Sequence, residues 1–95
     1  MAVKYPIRRA LDYLLEQKLD DIGIRPLAML LALAQQPETG RRLADRFDIP
    51  KSAVSRSVAK LERDGYIERL EDPSDRRSVF LALTDEGKAF VAMFS

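Results

Sequence analysis

The sequence predicts a mainly α fold carrying one small β-hairpin (α+β), and three observations predict it. Apolar residues recur at helical spacing in successive stretches from Ile7 to Leu61, each bounded by proline, glycine or a capping residue. The period shortens to two across Tyr66–Leu70 and, less cleanly, across Val79–Leu83. Between those two stretches lies a polar segment with Pro-Ser-Asp turn chemistry.

The elements follow in order. Ile7, Leu11, Leu14, Leu15 and Leu19 form one apolar stripe, Pro6 suits a first turn, and Gly23 lies at or just past the end, so a first helix is expected over about 6–20. Pro26 opens a second helix, about 26–36, that stops before Pro37. Its apolar residues run nearly all round, which predicts burial on more than one side. The first helix, from the same chain or from a partner, is one of the expected covers. Thr39 is placed to cap a short third helix, GRRLADRF, whose inward residues are Leu43, Ala44 and Phe47. Asp48-Ile49-Pro50 is a tight connection to a fourth helix running from about Lys51 to Asp64, with Val54, Val58 and Leu61 facing the core and Gly65 ending it. Residues of about 39–64 therefore read as a helix-turn-helix, and about 66–83 as a hairpin with a polar loop, Glu71–Arg77. Thr84 is expected to cap a last helix over about 85–94, with Asp85 and Glu86 at its positive end and Phe90, Val91, Met93 and Phe94 as its apolar face. The whole, 1–95, reads as one domain without repeats or linkers.

Composition removes several classes of function. The chain has no cysteine and no histidine, so a disulfide, a thiol switch, a Cys/His zinc site and imidazole- or thiolate-dependent catalysis are excluded. No Gly-rich phosphate loop or nucleophile elbow appears, and an enzyme is not expected. No cofactor and no metal are expected either. The longest apolar run, Leu27 to Ala34, is far below the roughly 20 residues of a membrane span, and no secretory signal opens the chain, so a cytoplasmic, nucleoid-associated protein without membrane contact is expected. Net charge is only +1, but residues 36–64 carry seven basic against five acidic groups, which places the positive excess on the helix-turn-helix.

A second helix of such a pair enters a major groove when its outward face carries small and donor residues. With Val54, Val58 and Leu61 inward, that face is Ser52, Ser55, Arg56, Ala59, Lys60 and Arg63. The small residues come first and allow close approach to base edges; Arg56 offers a two-pronged donor suited to guanine. Lys60 and Arg63 stand where the helix would leave the groove and meet phosphate. The plain alternative is an ordinary solvated helix face. On the hairpin, Arg76 and Arg77 suit a narrow minor groove, and Asp75 is expected to hold the Arg77 guanidinium by a charge-assisted bond; alone, such a loop would read as solvated. Arg41, Arg42 and Lys51 are candidate phosphate contacts. For Arg41, Arg42 and Arg46 the sequence leaves open pairing with Glu38, Asp45 or Asp48 instead.

Leu43-Ala44, then Ser52-Ala53-Val54-Ser55-Arg56, Leu61-Glu62, Gly65-Tyr66-Ile67, Asp72-Pro73-Ser74-Asp75-Arg76-Arg77 and finally Leu83-Thr84 with Gly87 resemble the winged helix-turn-helix of the MarR family of bacterial regulators. The resemblance implies a transcription regulator, usually a repressor. It also implies that Ser52, Ser55 and Arg56 read the major groove and that Arg77, oriented by Asp75, enters the minor groove. Family members usually continue into long C-terminal helices that make the dimer, so this chain is expected to be a short form in which a small-molecule effector site is doubtful. Pro50 stands where the family often has a capping Ser. The expected function is sequence-specific binding of double-stranded DNA as a homodimer paired through the first helix, the last helix or both. The rival is a winged-helix adaptor that binds protein rather than specific DNA.

Overall fold

The computed structural model describes Asp12, Leu15, Glu16 and residues 22–93. In chain order the elements are α1 (Ile24–Leu33), β1 (Glu38–Thr39), α2 (Gly40–Phe47), α3 (Lys51–Arg63), β2 (Ile67–Asp72), β3 (Asp75–Leu83) and α4 (Asp85–Ala92). Most of the helix expected over 6–20 lies outside the described residues, as does Phe94; Asp12, Leu15 and Glu16 are helical.

α1 starts at Ile24 rather than near Pro26 and ends at Leu33 rather than Gln36. Gly23, at φ +90°, turns the chain into the helix, and its carbonyl accepts the Leu27 N–H at 3.2 Å. Pro26 falls within the first turn, where its missing N–H would have no helical acceptor. At the other end the Gln35 N–H reaches back to the Ala32 carbonyl at 3.1 Å and closes the helix early. The chain then has room to bring Glu38 and Thr39 alongside β3. Burial is also one-sided: Pro26, Met29, Leu30, Ala32 and Leu33 are buried. Ile24 and Leu31, seven positions apart and so on one stripe, are 86% and 42% exposed, and most of the first helix expected as a cover lies outside the described residues.

The sheet is antiparallel and has three strands in the order β1-β3-β2. The two-residue β1, pairing Glu38 with Leu81 and Thr39 with Phe80, is too short to leave a period-two signature and was not expected. The polar segment 71–77 is mostly strand: the turn itself is Pro73-Ser74. Asp72 makes so short a turn possible, its Oδ1 accepting the Ser74 N–H at 2.9 Å and the Ser74 hydroxyl at 2.8 Å.

Leu30, Leu43 and Leu61, each fully buried, bring α1, α2 and α3 together, and Ile67, Leu81, Leu83 and Phe90 close the core from the sheet and α4. Burial of each such side chain stabilises the fold by about 1.5–3 kcal/mol. α4 is fastened directly to the end of α3. Thr84 Oγ1 donates to the Gly65 carbonyl at 2.6 Å and accepts the Gly87 N–H at 3.0 Å, while the Thr84 N–H donates to the Tyr66 carbonyl at 3.0 Å. A side chain at Gly87 would run into that same Tyr66 carbonyl. The Leu-Thr-x-x-Gly spacing thus has a mechanical reason: a cap, a cross-link and a close backbone approach share one corner.

Candidate nucleic-acid interface

Local chemistry sets the geometry of the α2–α3 pair. Thr39 Oγ1 accepts the Arg42 N–H at 3.2 Å and caps α2. Asp48 ends α2 in the left-handed region, at φ 53° and ψ 51°, and the Ile49 N–H returns to the Ala44 carbonyl at 3.1 Å. Pro50 begins α3 without a side-chain cap; its carbonyl accepts the Ala53 and Val54 N–H groups at 3.0 and 3.2 Å.

α3 then sorts its residues cleanly. Ala53, Val54, Ser57, Val58 and Leu61 are buried, whereas Lys51, Ser52, Ser55, Arg56, Ala59 and Arg63 are exposed. Positions 52, 55, 56, 59 and 63 share one face of a helix. Lys60 is half-buried and leans on Asp64 at 3.6 Å, so its charge is partly satisfied within the protein. Lys51, Arg56 and Arg63 form no ion pair with any described residue, nor do Arg41 on α2 and Arg77 on β3.

The alternatives left open for the α2 arginines separate. Arg42 reaches Glu38 at 3.7 Å, a carboxylate that is itself buried and holds the Gln36 amide at 2.7 Å. Arg46 lies 5.6 Å from the centre of the Phe47 ring. Only Arg41 of the three points outward without such a partner.

On the hairpin, pairing is regular from Ile67↔Leu83 to Glu71↔Val79 and then shifts to Asp72↔Asp75. Arg76, Arg77 and Ser78 therefore stand in a bulge on β3 rather than in a loop. Asp75 builds that bulge. Its Oδ1 accepts the main-chain N–H of Arg77 at 2.9 Å and its Oδ2 accepts the Ser78 hydroxyl at 3.4 Å. The expected carboxylate–guanidinium bond is not formed: Asp75 orients Arg77 through the backbone and leaves the exposed guanidinium free. Beside it, the hydrogen bonds from the Ser74 N–H and hydroxyl hold the Asp72 carboxyl below the usual aspartate range.

One contact was missed altogether. Arg69 Nε donates to Glu62 Oε2 at 3.0 Å, linking the last turn of α3 to β2, and this partner raises the Arg69 pKa further. A Glu-x6-Arg spacing across a helix-to-strand turn is the only sequence signal for it. A cleft of about 150 Å³, walled by Val54, Ser55 and Val58 on one side and Arg69, Val79 and Leu81 on the other, separates α3 from the hairpin. A larger groove, about 670 Å³, lies elsewhere, among Leu33, Gln36, Leu70, Lys88 and Val91. Among the described residues no acidic cluster is arranged to hold a metal ion, and no helix is long and apolar enough to cross a membrane.

A capped helix, a left-handed turn, a second helix with a polar outward face and a flanking bulged hairpin define a winged helix-turn-helix. Residues 21–78 match the MarR family, and the chain belongs to that family. It is 37% identical over 46 residues to the HTH-type transcriptional regulator BilQ of Clostridioides difficile, a match covering 48% of this chain and 31% of that protein. To the HTH-type transcriptional repressor MdtR of Bacillus subtilis it is 33% identical over 75 residues, covering 75% of this chain and 48% of MdtR. Among solved structures, the transcriptional regulator Tm0710 of Thermotoga maritima superposes with a TM-score of 0.76 at 26% identity, over 94% of this chain and 70% of that one. The chain spans less than half the length of the curated relatives it matches. Those relatives are transcriptional regulators, which are not enzymes.

Proposed function

We propose that this protein is a sequence-specific double-stranded DNA-binding regulator of transcription that acts as a repressor in the cytoplasm, on the nucleoid. The outward face of α3 carries the reading: Ser52, Ser55 and Ala59 permit close approach, and Arg56 and Arg63 have no ion-pair partner among the described residues. In this arrangement α3 lies in the major groove with Arg56 on a guanine edge, and Arg63, Lys51 and Arg41 meet phosphate. Arg77, and with it the neighbouring Arg76, serves the minor groove from the bulge. Lys60 contributes less than its charge suggests, because Asp64 shares it. The exposed apolar residues Ile24, Leu31 and Met93 support a homodimer, which would read a two-fold site.

The test is equilibrium binding to a selected duplex. Arg56→Ala is expected to weaken specific binding by about 1–3 kcal/mol, the scale of a bidentate base contact. Arg41→Ala is expected to weaken all sequences alike and to flatten the salt dependence by about one phosphate contact. Parent-like binding by Arg56→Ala would remove the groove assignment. A flat salt dependence in the parent would favour a protein-binding adaptor.

A further inference from the structure

We propose that Glu62 and Arg69 are positioning residues that set the recognition helix and the wing at one fixed angle, so that both grooves are engaged in a single register. This rests on the DNA-binding reading above. The pair joins the last turn of α3 to the third residue of β2 through a hydrogen bond of 3.0 Å. Side chains at 67, 69 and 71 share one face of β2. On that face Ile67 is anchored in the core, while Arg69 and Glu71 are exposed. Among the described side chains, which leave out that of Arg76, none of the hairpin beyond Arg69 makes a polar contact with α3. The pair is thus the outermost polar tie between the two DNA-binding parts, and the hairpin beyond it projects as a lever carrying Arg77.

Exposure fixes what the pair does. The Arg69 side chain is 54% exposed and that of Glu62 33%, so water and salt compete for both and little stability comes from the bond. What it does supply is lateral direction at the base of the lever. Simple electrostatics alone forecasts a uniform effect on DNA binding: a carboxylate on α3 repels phosphate, and removing it should help every duplex equally. The two expectations part at one observable, the discrimination between duplexes that the wing provides: a uniform electrostatic gain leaves it unchanged, whereas loss of the tie lowers it.

The experiment measures binding to two duplexes with the same central site and either A·T or G·C flanks, together with the thermal midpoint of each variant. In the parent, discrimination between the flanks should depend on Arg77 and vanish in Arg77→Ala. Glu62→Gln should keep or raise affinity for both duplexes yet reduce that discrimination by roughly threefold, the size of a modest coupling between contacting groups. Arg69→Lys should retain most of it, and the exchange Glu62→Arg/Arg69→Glu should restore it. Undiminished discrimination in Glu62→Gln, or a folded exchange variant that fails to recover it, overturns the proposal. A parent that shows no flank preference, or shows one that survives Arg77→Ala, overturns the wing assignment itself, and with it this proposal, before the pair is tested.

Discussion

Asp75 illustrates how a residue works at the candidate interface. Its carboxylate accepts the main-chain N–H of Arg77 and so shapes the bulge that presents the guanidinium. Asp75→Asn keeps one carbonyl acceptor for that N–H, whereas Asp75→Ala leaves it to water. Binding should therefore be kept far better by Asn than by Ala, measured on one duplex with both variants folded. Asp72 plays the neighbouring part for the turn and gives it a pH dependence. Hydrogen bonds from Ser74 lower its pKa, so the stability it lends is present above the unfolded-state value, near 3.9, and is lost as pH falls through the lower folded value. The Ser74 amide proton should titrate by NMR with a midpoint below that of an ordinary aspartate, and Asp72→Asn should abolish the transition. The sequence announced both carboxylates and both arginines. It did not announce that Asp75 would hold a main-chain group, because a backbone hydrogen bond depends on a bulge that no residue type encodes by itself.

Elements here are held by a few terminal residues. Thr39 caps α2 through one hydrogen bond, whereas Thr84 caps α4 and also bonds to the Gly65 carbonyl. Thr39→Ala should cost about 1 kcal/mol in urea denaturation, and Thr84→Ala more, about 2 kcal/mol, because a second partner is lost. Gly87→Ala should cost at least as much as Thr84→Ala, since its methyl meets the Tyr66 carbonyl rather than a movable side chain. α2, α3 and α4 were legible because caps and apolar spacing coincide at Thr39, Gly65 and Thr84. β1 was not, since two residues carry no period. The true extents of α1 and of the hairpin turned on the Gly23 and Asp72 turns, which are local hydrogen-bond choices rather than patterns.

At the scale of the molecule, the same apolar residues that fill the core leave Ile24 and Leu31 uncovered on α1 and Met93 uncovered at the end of α4. If these form a two-fold seam, Leu31→Glu should shift sedimentation from dimer to monomer and weaken binding to a two-half-site duplex more than to a single half-site. The sequence marked α1 as apolar nearly all round, and one stripe of it proves open, because periodicity reports how much of a helix is apolar but not which chain covers it. The central claim is that α3 and the hairpin read specific duplex DNA. Its most direct test is selection from a pool of random duplexes at ~150 mM salt, where non-specific phosphate binding is suppressed. Enrichment of a two-fold sequence with half-sites about one helical turn apart is the predicted result, lost in Arg56→Ala. Recovery of an unenriched pool by the folded parent protein would contradict it.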